Sequence, residues 1–237
     1  MSLKNIIIAS TSTVHGSDFL DYLLKDLKTL FENTNEIVFI PFARPGGLTH
    51  ELYTEKVKVA FKKIGISVKG LHEFSDPIHA VENAKGIFVG GGNTFVLVNQ
   101  LYKNNLISAI QNAVISGTPY LGTSAGSNIC GLTMHTTNDM PIVYPPSFKT
   151  LGLVPFNINP HYLDPIPDSK HMGETRETRI KEFHKFNTQP VVGLREGSFL
   201  RVIGDDIVLK GPHAARVFEY NKIPHEIESG TNLNALK

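Results

Sequence analysis

The feature that most constrains this chain is a regular exchange between short apolar runs and longer stretches of helical period, from Ile6 to Cys130. Residues 6–9, 36–42, 67–71, 86–89 and 119–122 read as strands. Such runs, short and rich in Ile, Val and Phe, suit strands buried on both faces. Between them, residues 19–31, 49–64, 77–83 and 94–116 read as helices, the last broken near Asn104-Asn105. In the first, Leu20, Leu23, Leu24, Leu27 and Leu30 recur near a 3.6-residue period. Strand–helix alternation at this spacing predicts an α/β fold: a parallel-rich sheet with crossover helices on both faces. Ligands of such sheets sit beyond the carboxyl ends of the strands.

After Cys130 the pattern changes. Residues 136–147 are turn-rich, 153–158 and 191–194 read as strands, and 173–186 as a polar helix. Residues 199–203, 207–209 and 215–220 read as hairpin strands at the end of the sheet, within a hairpin region of about 197–222. The polar tail, 229–237, is expected to fray. No repeat or low-complexity linker interrupts the chain, so residues 1–237 are read as one α/β domain.

The net charge of +1 argues against nucleic acid as a partner, because phosphate binding wants a basic face. The lysines between Lys56 and Lys63 read as the solvated face of a helix. No apolar run approaches the ~18 residues of a membrane helix, and the apolar run 5–9 reads as too short for the core of a signal peptide, with no small-residue cleavage site after it. A single cysteine, Cys130, excludes an intrachain disulfide and fits a reducing compartment. The expectation is a cytoplasmic protein, monomer or homodimer, without membrane partner.

Two glycine-rich turns end the fourth and fifth strands. Gly122-Thr123-Ser124-Ala125-Gly126 has the G-x-S-x-G pattern of a nucleophile elbow, placed between a strand and a helix. The reversal lifts Ser124 above the sheet, and the Ala125 N–H, at a helix start, can serve an oxyanion. The other reading of the turn is a helix-capping serine. Gly90-Gly91-Gly92-Asn93-Thr94 fits the second half of an oxyanion hole, with Asn93 a candidate for a substrate carbonyl. It lacks the spacing of a phosphate loop.

A serine nucleophile needs a base. Of ten histidines, His161 follows a strand and the stiff Asn159-Pro160 pair, which favours it over His184 on a helix face. Two carboxylates compete to orient it: Asp139, soon after the elbow helix, and Glu196, after the strand 191–194. Arg176 reads either as part of a solvated helix start or as a clamp for a substrate carboxylate. No His-Glu spacing of a zinc protease occurs, so neither metal nor other cofactor is expected.

These stretches, taken in order with Thr136-Thr137-Asn138-Asp139-Met140-Pro141 and Gly173-Glu174-Thr175-Arg176-Glu177, resemble the peptidase E family of α-aspartyl dipeptidases. That family is similar to cyanophycinases and, distantly, to class I glutamine amidotransferase domains. The resemblance runs from the first strand to near Glu196 and more loosely beyond. It implies a cytoplasmic serine dipeptidase cleaving after an N-terminal aspartate, with Ser124 as nucleophile and His161 as base. It matches Gly92 and Ala125 to the oxyanion donors and Arg176 to the substrate's aspartate side chain. It favours Glu196 for direct contact with His161 and leaves Asp139 as a site-shaping alternative. Thr123 departs from the pattern, which has tryptophan beside the nucleophile. A cyanophycinase-like β-aspartyl hydrolase and a non-catalytic peptide binder are the other functions considered.

Overall fold

The structure is a computed structural model and describes residues 3–165, 170 and 172–236. His171 lies outside these residues. Five strands, β1 (Asn5–Ala9), β2 (Glu36–Ile40), β3 (Ser67–Gly70), β4 (Ile87–Val89) and β5 (Tyr120–Thr123), pair in parallel in the order β3-β2-β4-β5-β1. Two antiparallel strands, β8 (Phe199–Ile203) and β9 (Asp206–Lys210), extend the sheet beside β1 to seven strands.

Alternate residues of these strands feed two apolar layers. Ile6, Ile8, Val38, Ile40, Ile87, Val89 and Tyr120 face one side. Ile7, Ala9, Ile37, Phe39, Phe88 and Leu121 face the other. Burial on both faces explains why the strands read as unbroken apolar runs. Each large side chain so buried contributes roughly 2 kcal/mol. Helices α3 (Pro77–Glu82), α4 (Thr94–Lys103) and α5 (Leu106–Ile115) cover the first side through Val81, Leu97, Leu101, Leu106 and Ile110. Helices α1 (Leu24–Leu30) and α2 (His50–Lys62) cover the second through Leu27, Leu30, Tyr53, Val57 and Phe61. The fold is therefore the expected α/β architecture, with helices on both faces of a parallel-rich sheet.

The short helix α6 (Ala125–Asn128) leads from β5 towards a second sheet. There β6 (Asn157–Pro160) pairs in parallel with β7 (Val191–Leu194), and β10 (Ala215–Phe218) and β11 (His225–Ile227) complete the order β11-β10-β7-β6. Ile158, Val192, Leu194 and Val217 join the first apolar layer, so both sheets share one core. Helix α7 (Arg176–Phe183) lies between β6 and β7 in the chain.

Four expectations are corrected. Residues 215–220 do not end the main sheet: β10 pairs with β7, in the second one. The helix expected over 19–31 begins only at Leu24, because Leu20 adopts φ 64° and its N–H bonds to Ser12 O at 2.7 Å. The strand expected over 153–158 starts at Asn157, since the N–H groups of Leu153 and Val154 turn back to Cys130 O. The tail, expected to fray, runs beside β9: Leu233 N–H bonds to Ile207 O at 2.7 Å, and Leu233 and Leu236 are buried. Among the described residues no helix is long and apolar enough to cross a membrane.

Candidate active site

Ser124 stands where β5, flanked by β4 and β1, turns into α6. Its backbone has φ 55° and ψ −111°, a region rarely populated by non-glycine residues. Such a conformation costs on the order of 1–3 kcal/mol and persists only where the surroundings hold it. Here the Ser124 N–H donates to Ala9 O at 3.2 Å. The buried Ser127 hydroxyl lies 2.6 Å from the same carbonyl and 2.8 Å from Gly122 O. The elbow's glycines are needed for closeness: a Cβ on Gly126 would run into Val89 O, and one on Gly122 into Gly126 O. The Ser124 side chain makes no capping bond, which removes the support for the capping reading.

His161 follows β6, itself at φ 52°, and its Nδ1 lies 2.6 Å from Glu196 Oε1. Glu196 sits two residues beyond β7, the parallel neighbour of β6, so adjacent strand ends deliver both groups. With Nδ1 donating to the carboxylate, Nε2 is the ring nitrogen left as an acceptor. Glu196 also borders a cavity of about 680 Å³ whose lining includes Val14, Tyr22 and Phe199 but neither Ser124 nor His161. Burial, and then the charge of Glu196, push the Tyr22 phenol up, so it stays a neutral donor to Thr11 O at 2.6 Å.

Asp139 does not bond His161. Its Oδ2 accepts from Thr94 N–H at 2.7 Å, Thr94 Oγ1 at 2.7 Å and Thr137 Oγ1 at 3.0 Å. It therefore caps the start of α4, next to the glycine loop. Gly91 packs against Ser124 so closely that a Cβ there would lie 2.8 Å from Ser124 Cβ. Gly92 has φ +150°, and any Cβ would strike the Ala43 carbonyl. Neither the Gly92 nor the Ala125 N–H has an acceptor among the described residues. Asn93, expected to meet substrate, has its side chain engaged within the protein: Oδ1 accepts from Val96 N–H at 3.1 Å, and Nδ2 donates to Met140 O at 2.9 Å.

Arg176 opens α7 and is half-buried, without an ion-pair partner among the described residues. Burial and the neighbouring Arg179 push its guanidinium down from the usual arginine range, while the nearby charge of Asp139 pulls it back. A desolvated, unpaired guanidinium is suited to a carboxylate ligand. Among the described residues no three His, Cys, Asp or Glu side chains are grouped so as to hold a metal ion.

The profile of Peptidase family S51 matches residues 6–210. The chain belongs to this peptidase family. Peptidase E of Streptomyces coelicolor is 47% identical over 232 residues, covering 98% of this chain and 94% of that protein. A probable alpha-aspartyl dipeptidase of Drosophila melanogaster is 45% identical over 221 residues, covering 92% and 91%. Among solved structures, a peptidase from an acI-B1 Actinobacterium aligns with a TM-score of 0.73 at 17% identity, covering 98% of this chain and 97% of its own. A putative peptidase E protein from Listeria monocytogenes EGD-e aligns at 0.67 and 21% identity, covering 89% and 99%. Both show the fold.

Within this S51 peptidase, several supporting residues escaped sequence reading. Tyr53 of α2 is buried, and its hydroxyl accepts the Gly91 N–H at 3.0 Å, which shapes the glycine loop from beneath. Ser127 clamps the elbow as described. Neither carries a motif, although Ser127 lies within three residues of the elbow serine. Thr123, where the resemblance expects a tryptophan, is fully buried at the end of β5, and its hydroxyl has no hydrogen-bond partner among the described residues.

Proposed function

We propose that the protein is a serine-type dipeptidase that hydrolyses dipeptides with an N-terminal aspartate, through an acyl-enzyme on Ser124. The observation that carries this reading is the 2.6 Å contact of His161 Nδ1 with Glu196, together with an elbow serine held at positive φ. In the proposed reaction His161 Nε2 takes the Ser124 proton as Oγ attacks the scissile carbonyl. The Gly92 and Ala125 N–H groups receive the oxyanion; losing one such donor typically costs ~3 kcal/mol of barrier. His161 then protonates the leaving amine, and water attacks the ester to release aspartate. Glu196 holds the imidazole tautomer and stabilises its cation.

Arg176 is assigned the aspartate side chain. Its half-buried guanidinium would be left unpaired by a neutral substrate, which is the basis of selectivity. The names of the curated relatives, peptidase E and probable alpha-aspartyl dipeptidase, support this substrate class. A reducing, cytoplasmic setting is part of the reading, supported by a single cysteine, Cys130, that is buried.

Purified protein assayed on Asp-Leu, Ala-Leu and a β-aspartyl-arginine dipeptide tests it. Asp-Leu is cleaved and Ala-Leu is not; Ser124→Ala falls to background. Arg176→Ala loses on the order of 10²- to 10³-fold in kcat/KM on Asp-Leu. Equal rates on Asp-Leu and Ala-Leu, or full activity in Ser124→Ala, would sink the reading. Cleavage of the β-linked dipeptide alone would replace it with a β-aspartyl hydrolase.

A further inference from the structure

The end of β1 touches both halves of the site. Ala9 O receives the Ser124 N–H and the Ser127 hydroxyl, as above. The next residue, Ser10, is wholly buried, and its own N–H donates to Ser198 O at 3.1 Å. Its hydroxyl donates to Leu194 O at 2.6 Å and accepts the N–H of His161 at 2.9 Å. Leu194 ends β7, two residues before Glu196, and pairs with Pro160, the residue before His161. One hydroxyl thus ties together the strand ends that carry the imidazole and its carboxylate. It does so from the residue adjacent to the carbonyl that anchors the elbow.

The bond answers a specific need. At φ 52° the His161 N–H leaves the β6–β7 ladder, whose last registered pair is Pro160 with Leu194. Leu194 O accepts the following N–H, from Tyr162, at 3.1 Å. The His161 N–H is left to Ser10. Buried backbone donors need an acceptor, and an apolar side chain at position 10 offers none.

We propose that Ser10 is a positioning residue: it sets the His161–Glu196 pair at a defined place relative to Ser124. The proposal rests on the reading of these three residues as a relay. Without the hydroxyl, His161 is free to leave its left-handed conformation, and the imidazole loses its alignment with Ser124 while the substrate pocket is untouched. Misplacement of a reacting group by about 1 Å is enough to cost on the order of 10²-fold in rate.

The test compares the full-length wild type with Ser10→Ala, Glu196→Gln and the double variant. Kinetics on Asp-Leu are read together with the far-downfield imidazole N–H proton of His161 by NMR. In Ser10→Ala, kcat falls about 10- to 100-fold with KM within about twofold, and the imidazole proton moves or broadens. The losses in the double variant are less than the product of the single ones, because both changes act on one pair. Ser10→Cys, which keeps the size but hydrogen-bonds weakly, gives the same comparison where Ser10→Ala does not fold. Wild-type kcat, an unmoved proton, or fully multiplicative losses would overturn the proposal. If Ser124→Ala and Glu196→Gln both retain wild-type activity, the relay reading has failed; the imidazole proton then still reports whether Ser10 positions His161.

Discussion

Asp139 and Glu196 stand at similar places in the sequence argument, each a carboxylate after a candidate element. Their partners differ. Asp139 spends one oxygen on three donors at the start of α4, whereas Glu196 meets the His161 ring. Two different failures are therefore expected. Glu196→Gln should lower kcat by on the order of 10²-fold or more with little change in thermal stability, since it disturbs the imidazole tautomer. Asp139→Asn should lower stability by about 1–2 kcal/mol, through the weakened helix cap, and reduce activity more modestly. Steady-state kinetics and thermal melts on both variants check this. A larger kcat loss in Asp139→Asn, with stability unchanged, would reverse the assignment.

At the scale of elements, the second sheet is clasped by ions. Arg195, in the turn after β7, pairs with Asp164 beyond β6 at 2.7 Å and with Glu226 of β11 at 2.8 Å. It also donates to Ala214 O at 2.6 Å, just before β10. The hydrogen bonds from Arg195 hold the Asp164 carboxyl below its ordinary value, with desolvation opposing. Lys181, and then Arg216, do the same for Glu177 of α7. A carboxyl whose folded value is depressed binds fewer protons folded than unfolded, so stability rises with pH through that range. The contribution is complete above about pH 4 to 5 and is lost as pH falls through the depressed values. Solvent screening keeps it small, because Asp164 is about half exposed. Thermal melts between pH 6 and pH 3 should show a steeper fall for the wild type than for Arg195→Met. Equal slopes would mean that the clasp contributes nothing.

Across the whole molecule, Cys130 reports on the shared core. It follows α6, between the two sheets, is fully buried, and burial pushes its thiol up to about 12. At pH 8 only about one thiol in 10⁴ is then ionised, and the reactive form is the thiolate. A disulfide reagent should find no thiol in the native protein and one per chain in denaturant. Fast labelling without denaturant would show that the elbow helix opens apart from the core.

What the sequence determined by itself was local in character. Apolar runs of strand length, separated by helical periods, specified the parallel sheet, because burial on both faces leaves a continuous signature. The elbow and the glycine loop were legible because close backbone approach demands glycine at Gly122, Gly126 and Gly92 whatever lies elsewhere. The ordered motifs pointed to the family for the same reason. What only the tertiary structure decided was pairing across distance. Periodicity cannot tell which sheet receives β10, since its alternation is the same in either. Nor can it bring Glu196 to His161, seat Asp139 on α4, fold the tail onto β9, or place the hydroxyl of Ser10 between two strand ends from another sheet. Those are hydrogen bonds between residues tens to more than a hundred positions apart, and the residue types alone carry no record of their partners.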